Sequence, residues 1–338
     1  MTTSAEKSDP AELRPITADD LEPILALHNR CLVHDGVEQS FEMGELREEL
    51  DDDGVTFADD VRVAIVDGDI VGYAYALNLP SDVREERCYV FGRVDPPFRR
   101  RGVRTQLMHW AVPRAAARLI SSGNDLPKWI RAFEYDTIES AHALYRMMGF
   151  EPVRYEEELL RPVENPPEIQ TIDGIRIVAW TEDRDEEARI VKNTSFADHW
   201  GSTPTTVDHW HHRVRGFAGR PDLSLLALDD EDRVVACCVI HRYEADDELL
   251  GRKEAWIDTL GTLREWRGRG IASAFIAQSL HNFAADGLSH AAIGVDSENP
   301  TGASELYRKL GFEPQRRVVV SQLAADKVSS PDDSAAAE

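Results

Sequence analysis

Leu144-Tyr145-Arg146-Met147-Met148-Gly149-Phe150-Glu151-Pro152 is written a second time as Leu306-Tyr307-Arg308-Lys309-Leu310-Gly311-Phe312-Glu313-Pro314. Upstream of each copy stands a basic turn with glycine: Phe98-Arg99-Arg100-Arg101-Gly102-Val103-Arg104, then Trp266-Arg267-Gly268-Arg269-Gly270-Ile271-Ala272. Gly102 and Gly270 lie 168 residues apart, Tyr145 and Tyr307 162 apart. Two matched landmarks at nearly one offset mark a duplicated domain.

Working outward, each copy alternates strand and helix. In the first, Arg62 to Val66 and Ile70 to Leu77 flank Asp67-Gly68-Asp69, a hairpin turn. Cys88 to Val94 follows as a strand, Val103 to Leu119 as a helix, Trp129 to Glu134 as a strand and Ile138 to Met148 as a helix. The second copy repeats the order with strands Leu223 to Leu228, Val234 to His241, Glu254 to Leu263 and Ala291 to Asp296. Its helices are Gly270 to Asp286 and Thr301 to Leu310. A hairpin followed by β-α-β-α predicts an α/β fold of two tandem domains, each a mixed, mostly antiparallel central sheet flanked by helices.

The expected segments are a first domain over 11–160, a proline-rich linker over 161–169, a second domain over 170–323 and a disordered tail over 324–338. Residues 1–10 are expected to be a loose end. The length of 338 residues suits two domains, and 42% hydrophobic residues supply two cores. The four cysteines have no metal-ligand spacing and make no disulfide framework. Cys237 and Cys238 fall in an apolar strand and are expected in the core. No apolar run approaches the roughly 18 residues of a membrane span, and the first ten residues are polar; the expectation is a cytoplasmic protein without membrane contact. Acidic residues outnumber basic ones 62 to 38, a net charge of −24. That balance repels a nucleic-acid backbone. It favours a cationic acceptor, or serves solubility alone.

The segment from Leu260 to Ala272 ends a strand, turns through glycines and starts a helix. The first amides of a helix have no internal partner and carry partial positive charge. Glycines let that backbone close on an anion, and a diphosphate fits such a place. Arg267 and Arg269 can add cationic contacts. The other possibility is a solvated basic helix start.

Arg267, Gly270 and Ala272 fill an Arg-x-x-Gly-x-Gly/Ala pattern that resembles the acetyl-coenzyme A pyrophosphate loop of the GCN5-related N-acetyltransferase (GNAT) family. Val295 to Asn299, leading into Ala303 to Phe312, is similar to that family's N-x-x-A…LYxxxGF segment. The tandem arrangement, with Phe196 to Pro204, resembles the mycothiol-synthase-like type of the family.

The resemblance implies an acyl-CoA-dependent N-acyltransferase. It would move an acetyl group from acetyl-CoA to a primary amine, expected to be a small molecule, by direct attack in a ternary complex. It further implies that Leu260, Gly261, Thr262, Gly268, Arg269, Gly270, Ile271, Ala272, Arg267 and Asn299 hold the coenzyme. Asn299 has an alternative task as a helix N-cap. Tyr307 is implied as the general acid, or as a core residue on Phe312. The base is sought among strand carboxylates, Asp258 first and Glu254 next. No metal is expected. Arg104 and Thr137 stand where Ala272 and Asn299 stand, so the first copy is expected to be catalytically silent, with Arg104 either crowding the pyrophosphate or swinging out to bind phosphate; weak coenzyme binding and a packing role stay open for that copy. The cluster of His199, Trp200, His209, Trp210, His211 and His212 lines an acceptor pocket or packs a helix. Alternatives are a non-catalytic coenzyme-binding scaffold and an enzyme acting on a protein amine. A monomer or homodimer is expected.

Overall fold

The computed structural model describes residues 10–50, 54–299 and 302–328. Two compact units emerge. The first gathers residues up to Glu134 with Ile138–Val153 and the chain from Val320 onward. The second gathers Tyr135–Thr137 with Arg154–Val319.

The first unit begins with β1 (Glu12–Pro15), α1 (Leu21–His34), α2 (Met43–Leu50) and α3 (Phe57–Asp60). Then come β2 (Val61–Val66), β3 (Asp69–Leu79), β4 (Glu86–Val94), α4 (Val103–Ser121), β5 (Lys128–Tyr135) and α5 (Glu139–Met147). Asp67 and Gly68 both take positive φ, 52° and 89°, which turns β2 tightly into β3. The pairs β1–β2, β2–β3 and β3–β4 are antiparallel, whereas β4 and β5 are parallel. Period-two alternation sets the faces. Tyr73 and Tyr75 of β3 pack with Ile24 and Leu27 of α1, and Ala74 and Ala76 turn to the other face.

The chain continues with β6 (Glu151–Pro162), β7 (Arg176–Ala179), α6 (Asp185–Ser195), α7 (Val207–Arg215), β8 (Leu225–Leu228), β9 (Val234–His241) and α8 (Asp246–Leu250). It closes with β10 (Glu254–Thr262), α9 (Ile271–Ala285), β11 (His290–Asp296), α10 (Ala303–Lys309) and β12 (Glu313–Ala324). In the second unit β7, β8, β9 and β10 pair antiparallel in that order, and β10 runs parallel to β11. Ala236, Cys238 and Ile240 of β9 face Ile271, Phe275 and Ile276 of α9. Cys237 and Val239 face Ala188 and Val191 of α6. All four cysteines are free and buried, and burial pushes the Cys237 and Cys238 thiols up to about 12.

The units are not the contiguous segments expected from the sequence. By chain order β6 closes the first copy, yet its residues from Glu156 to Pro162 pair antiparallel with β11 of the second unit. In return the chain from Val320 counts with the first unit, where Gln322 accepts from Arg131 at 3.4 Å. A closing strand is thus exchanged between copies. Pro162 is tolerated because it ends its strand. The tail also starts later than expected: Ala325–Lys327 form a 3-10 turn packed on α4, a correction to the reading from residue 324. The expectations for residues 1–9 and 329–338 lie outside the described residues.

Candidate active site

In both units the strand that leads into the basic turn leaves its parallel neighbour early. β10 pairs with β11 only from Glu254 to Ile257, but stays on β9 to Thr262. Beyond Ile257 the edge of β10 facing β11 has no ladder partner, so Leu260, Gly261 and Thr262 border an opening between parallel strands. A bulge falls between Ile257 and Thr259, making Asp258 the extra residue. Bulges of this kind bend a strand and re-aim a side chain. At Gly261 the end of α6 comes so close that a Cβ would lie 2.6 Å from Ser195 Oγ, so a side chain there would force that hydroxyl to move.

The turn after β10 brings Gly268 (φ 74°) and Gly270 (φ 89°) into the left-handed region, and Gly270 caps α9. The first helical hydrogen bond runs from Ala274 N–H to Gly270 O, at 3.0 Å. The amides of Ile271, Ala272 and Ser273 therefore have no acceptor within the helix. Ile271 offers only its amide, because its side chain is buried.

The arginines of the turn act differently from one another. Arg267 Nε donates to Thr262 O at 3.1 Å and Nη2 to Ser195 O at 2.7 Å. In this pose its guanidinium braces the turn against strand and helix, so the expected cationic contact with a phosphate is replaced by two carbonyl contacts. Arg269 lies over the Trp266 ring at 4.5 Å. Asn299 is not the cap of the last helix. Its amide donates to Asp296 O at 3.0 Å, while Gly302 caps α10.

Tyr307 is 7% exposed, with its ring centroid 6.2 Å from that of Phe312. Burial, then the nearby Cys238, pushes its phenol pKa up, so the proton stays on oxygen at neutral pH. Asp258 is 22% exposed at the side chain. Its Oδ2 accepts from Arg213 Nη1 at 2.5 Å and from Thr259 Oγ1 at 2.8 Å. Loss of water around it would raise its pKa; Arg213 and then His241 overcome this and hold it at about 2. A carboxylate held so low is a poor direct base for an amine. Glu254, the second choice, is buried and bound to Arg252 at 2.7 Å.

The histidine and tryptophan cluster divides. Trp210 is buried, with its indole N–H on Asp185 O at 2.9 Å. His199 Nδ1 meets Trp200 O at 3.0 Å, and His211 and His212 face solvent. Among the described residues no three His, Cys, Asp or Glu side chains are grouped to hold a metal ion. His241 was not singled out by sequence reasoning. The available signal was its place as the titratable residue ending the apolar run Val234 to Ile240.

The corresponding place in the first unit is filled. β4 pairs with β5 only from Glu86 to Tyr89, and its pairing with β3 is unbroken by any bulge. Arg93, opposite Tyr73, holds the strand position that Gly261 holds opposite Cys237. Its guanidinium bridges to Glu134 of β5, beyond the last paired residues of both strands. Arg104, at the position of Ala272, lies 3.5 Å from Glu134 and 3.5 Å from the Tyr145 hydroxyl. Arg104 thus turns inward, towards Tyr145, instead of crowding a pyrophosphate. The turn keeps its form: Arg99 Nε donates to Val94 O at 3.0 Å as Arg267 does to Thr262. Arg100 takes φ 61° where Gly268 takes 74°.

Comparison with known proteins agrees with this geometry. The model described as "Acetyltransferase (GNAT) family" matches residues 180–312, and one described as "Acetyltransferase (GNAT) domain" matches 57–152. The mycothiol acetyltransferase of Mycobacterium sp. (strain JLS) is 26% identical over 259 residues, covering 73% of this chain and 77% of that one. That of Clavibacter michiganensis subsp. michiganensis is 26% identical over 303 residues, 88% and 89% of the two chains. Among solved structures, a GCN5-related N-acetyltransferase from Sphaerobacter thermophilus shares the fold at TM-score 0.73 and 24% identity, covering 94% and 96%. A tandem GNAT protein of the clavulanic acid biosynthesis pathway does so at TM-score 0.64 and 17% identity, covering 94% and 99%. No helix among the described residues is long and apolar enough to cross a membrane. With both landmarks, both splayed strand pairs and a family match in each half, the chain belongs to the GCN5-related N-acetyltransferases, as a tandem of two such domains.

Proposed function

We propose that the second unit transfers an acetyl group from acetyl-CoA to the primary amine of a small molecule, and that the first unit is catalytically silent. One observation carries this reading. The opening between β10 and β11 is bordered by Leu260, Gly261 and Thr262, with no charged side chain among them, and adjoins the free amides of α9, whereas its counterpart in the first unit is crossed by the Arg93–Glu134 ion pair. The coenzyme diphosphate rests on the amides of Gly268 to Ala272, and its arm lies along Leu260 to Thr262. Asn299 borders the arm. Placing thioester and amine together makes the attack effectively unimolecular. Tyr307 gives its proton to the departing thiolate; burial keeps that proton in place until sulfur carries charge.

The mycothiol acetyltransferase relatives support a small-molecule acceptor, and the net charge of −24 suits a cationic one. This reading puts the enzyme in the cytoplasm, where acetyl-CoA is used, as a monomer or homodimer. Titration calorimetry with acetyl-CoA tests it. One site per chain is expected. Two sites would mean that the first unit still holds coenzyme, and none would favour a scaffold.

A further inference from the structure

We propose that His241 takes the proton from the attacking amine, with Asp258 fixed beside it as a positioning carboxylate. The inference rests on the acetyl-transfer reading of this unit. His241 ends β9 opposite Trp256, one pair before the bulge of β10. Its Nε2 lies 2.6 Å from Arg213 O. A carbonyl can only accept, so Nε2 carries the hydrogen, and Nδ1 of the neutral ring holds the lone pair. Nδ1 faces Asp258 Oδ1 at 3.6 Å, beyond hydrogen-bond length but close enough to stabilise a charged ring. Asp258 cannot turn away, because Arg213 and Thr259 both hold its other oxygen.

Arg213 of α7 therefore fixes both partners, the imidazole through its carbonyl and the carboxylate through its guanidinium. The charged and titratable groups around the ring are Asp258 from β10, Arg213 from α7 and Tyr243, whose ring stands edge-on with centroids 6.4 Å apart. The side chains of His241 and Asp258 retain 13% and 22% exposure, so a solute can reach them. In the first unit, Leu77 stands four residues after Tyr73, as His241 stands four after Cys237, and lies opposite Tyr89. The unit with a filled opening thus also lacks the imidazole and the bulge.

The step balances as follows. The amine nitrogen forms a bond to the thioester carbonyl carbon and passes one proton to His241 Nδ1. The carbon–sulfur bond breaks, and the thiolate takes the proton of Tyr307. The imidazolium and the phenolate then return to rest by exchange with water, leaving an amide and free CoA.

The test uses the full chain and its His241→Gln and His241→Ala variants, with glucosamine, cysteine and putrescine as probe amines and release of the CoA thiol as readout. Turnover is expected to fall about 100-fold or more, while acetyl-CoA affinity by calorimetry stays within about twofold. Added imidazole should restore part of the turnover of His241→Ala. Unchanged turnover, or affinity lost in step with it, would overturn the assignment. Nitrogen-15 histidine spectra of the unmodified chain decide independently of any acceptor. In the neutral ring the hydrogen is expected on Nε2; a neutral ring with hydrogen on Nδ1 would sink the proposal. A wild-type chain that releases no CoA with any amine counts against the acetyl-transfer reading itself, and the tautomer still reports on His241.

Discussion

The two units solve the same backbone problem and then part at one bulge and a few side chains. Glu86 to Tyr89 on Lys128 to Arg131, and Glu254 to Ile257 on His290 to Ile293, are the same four-residue parallel ladder followed by the same divergence. Into the first opening come Arg93, Glu134 and Arg104; beside the second stand Gly261 and Ala272. The first turn keeps its left-handed positions, at a cost of about 1 kcal/mol for the non-glycine Arg100. The divergence is kept in both units because the strands that part there are held elsewhere by their antiparallel partners, while one bulge and a few side chains differ.

The sharpest way to break this contrast is a matched pair of variants. Gly270→Glu should abolish acetyl-CoA binding in calorimetry, since a carboxylate would meet the diphosphate. Gly102→Glu imposes the same left-handed strain (φ 85° against 89°) and should leave binding intact. Equal losses would mean that strain, not charge, is responsible. Next in size, Tyr307→Phe should lower turnover about 100-fold with acetyl-CoA affinity kept, whereas Tyr145→Phe should do neither. If the two tyrosines behave alike, Tyr307 is a packing residue.

A smaller effect is expected from exchanging the occupants of the openings. Ala272→Arg should weaken acetyl-CoA about tenfold, or about 1.4 kcal/mol, by copying Arg104. Replacing Arg93, Glu134 and Arg104 together by Gly, Val and Ala should add a weak second site to the titration. A stoichiometry that stays at one would show that the missing bulge, and not the ion pair, closes the first unit. Last, Arg93→Met leaves Glu134, only 3% exposed, with the more distant Arg104. Urea unfolding should show a loss of about 3 kcal/mol, with turnover in the second unit unchanged.

The sequence made the duplication, the α/β order and the position of the basic turns legible, because these rest on local signals. Period-two and helical alternation set the elements. Asp67-Gly68 and Gly270 sit where a turn needs positive φ, and the nine-residue segment repeats letter for letter at seven of nine places. Chain order suggested that β6 belonged to the first copy. Its place beside β11 depends on which edge offers free amides and carbonyls, and a linear pattern does not carry that information.

The same division runs through the site. Glycine at 270 and alanine at 272 could be recognised as leaving room for an anion, because small size is a property of the residue itself. The roles of Arg267, Asp258 and His241 could not, because they depend on partners distant in sequence. Ser195 and Thr262 take the Arg267 guanidinium, and Arg213 takes Asp258 and His241 together. The sequence alone determined which residues can turn, pack or carry charge. Only the tertiary structure decided which charges meet, because an ionisable side chain is an acid, a base or a brace according to the groups that folding places within a few ångströms of it.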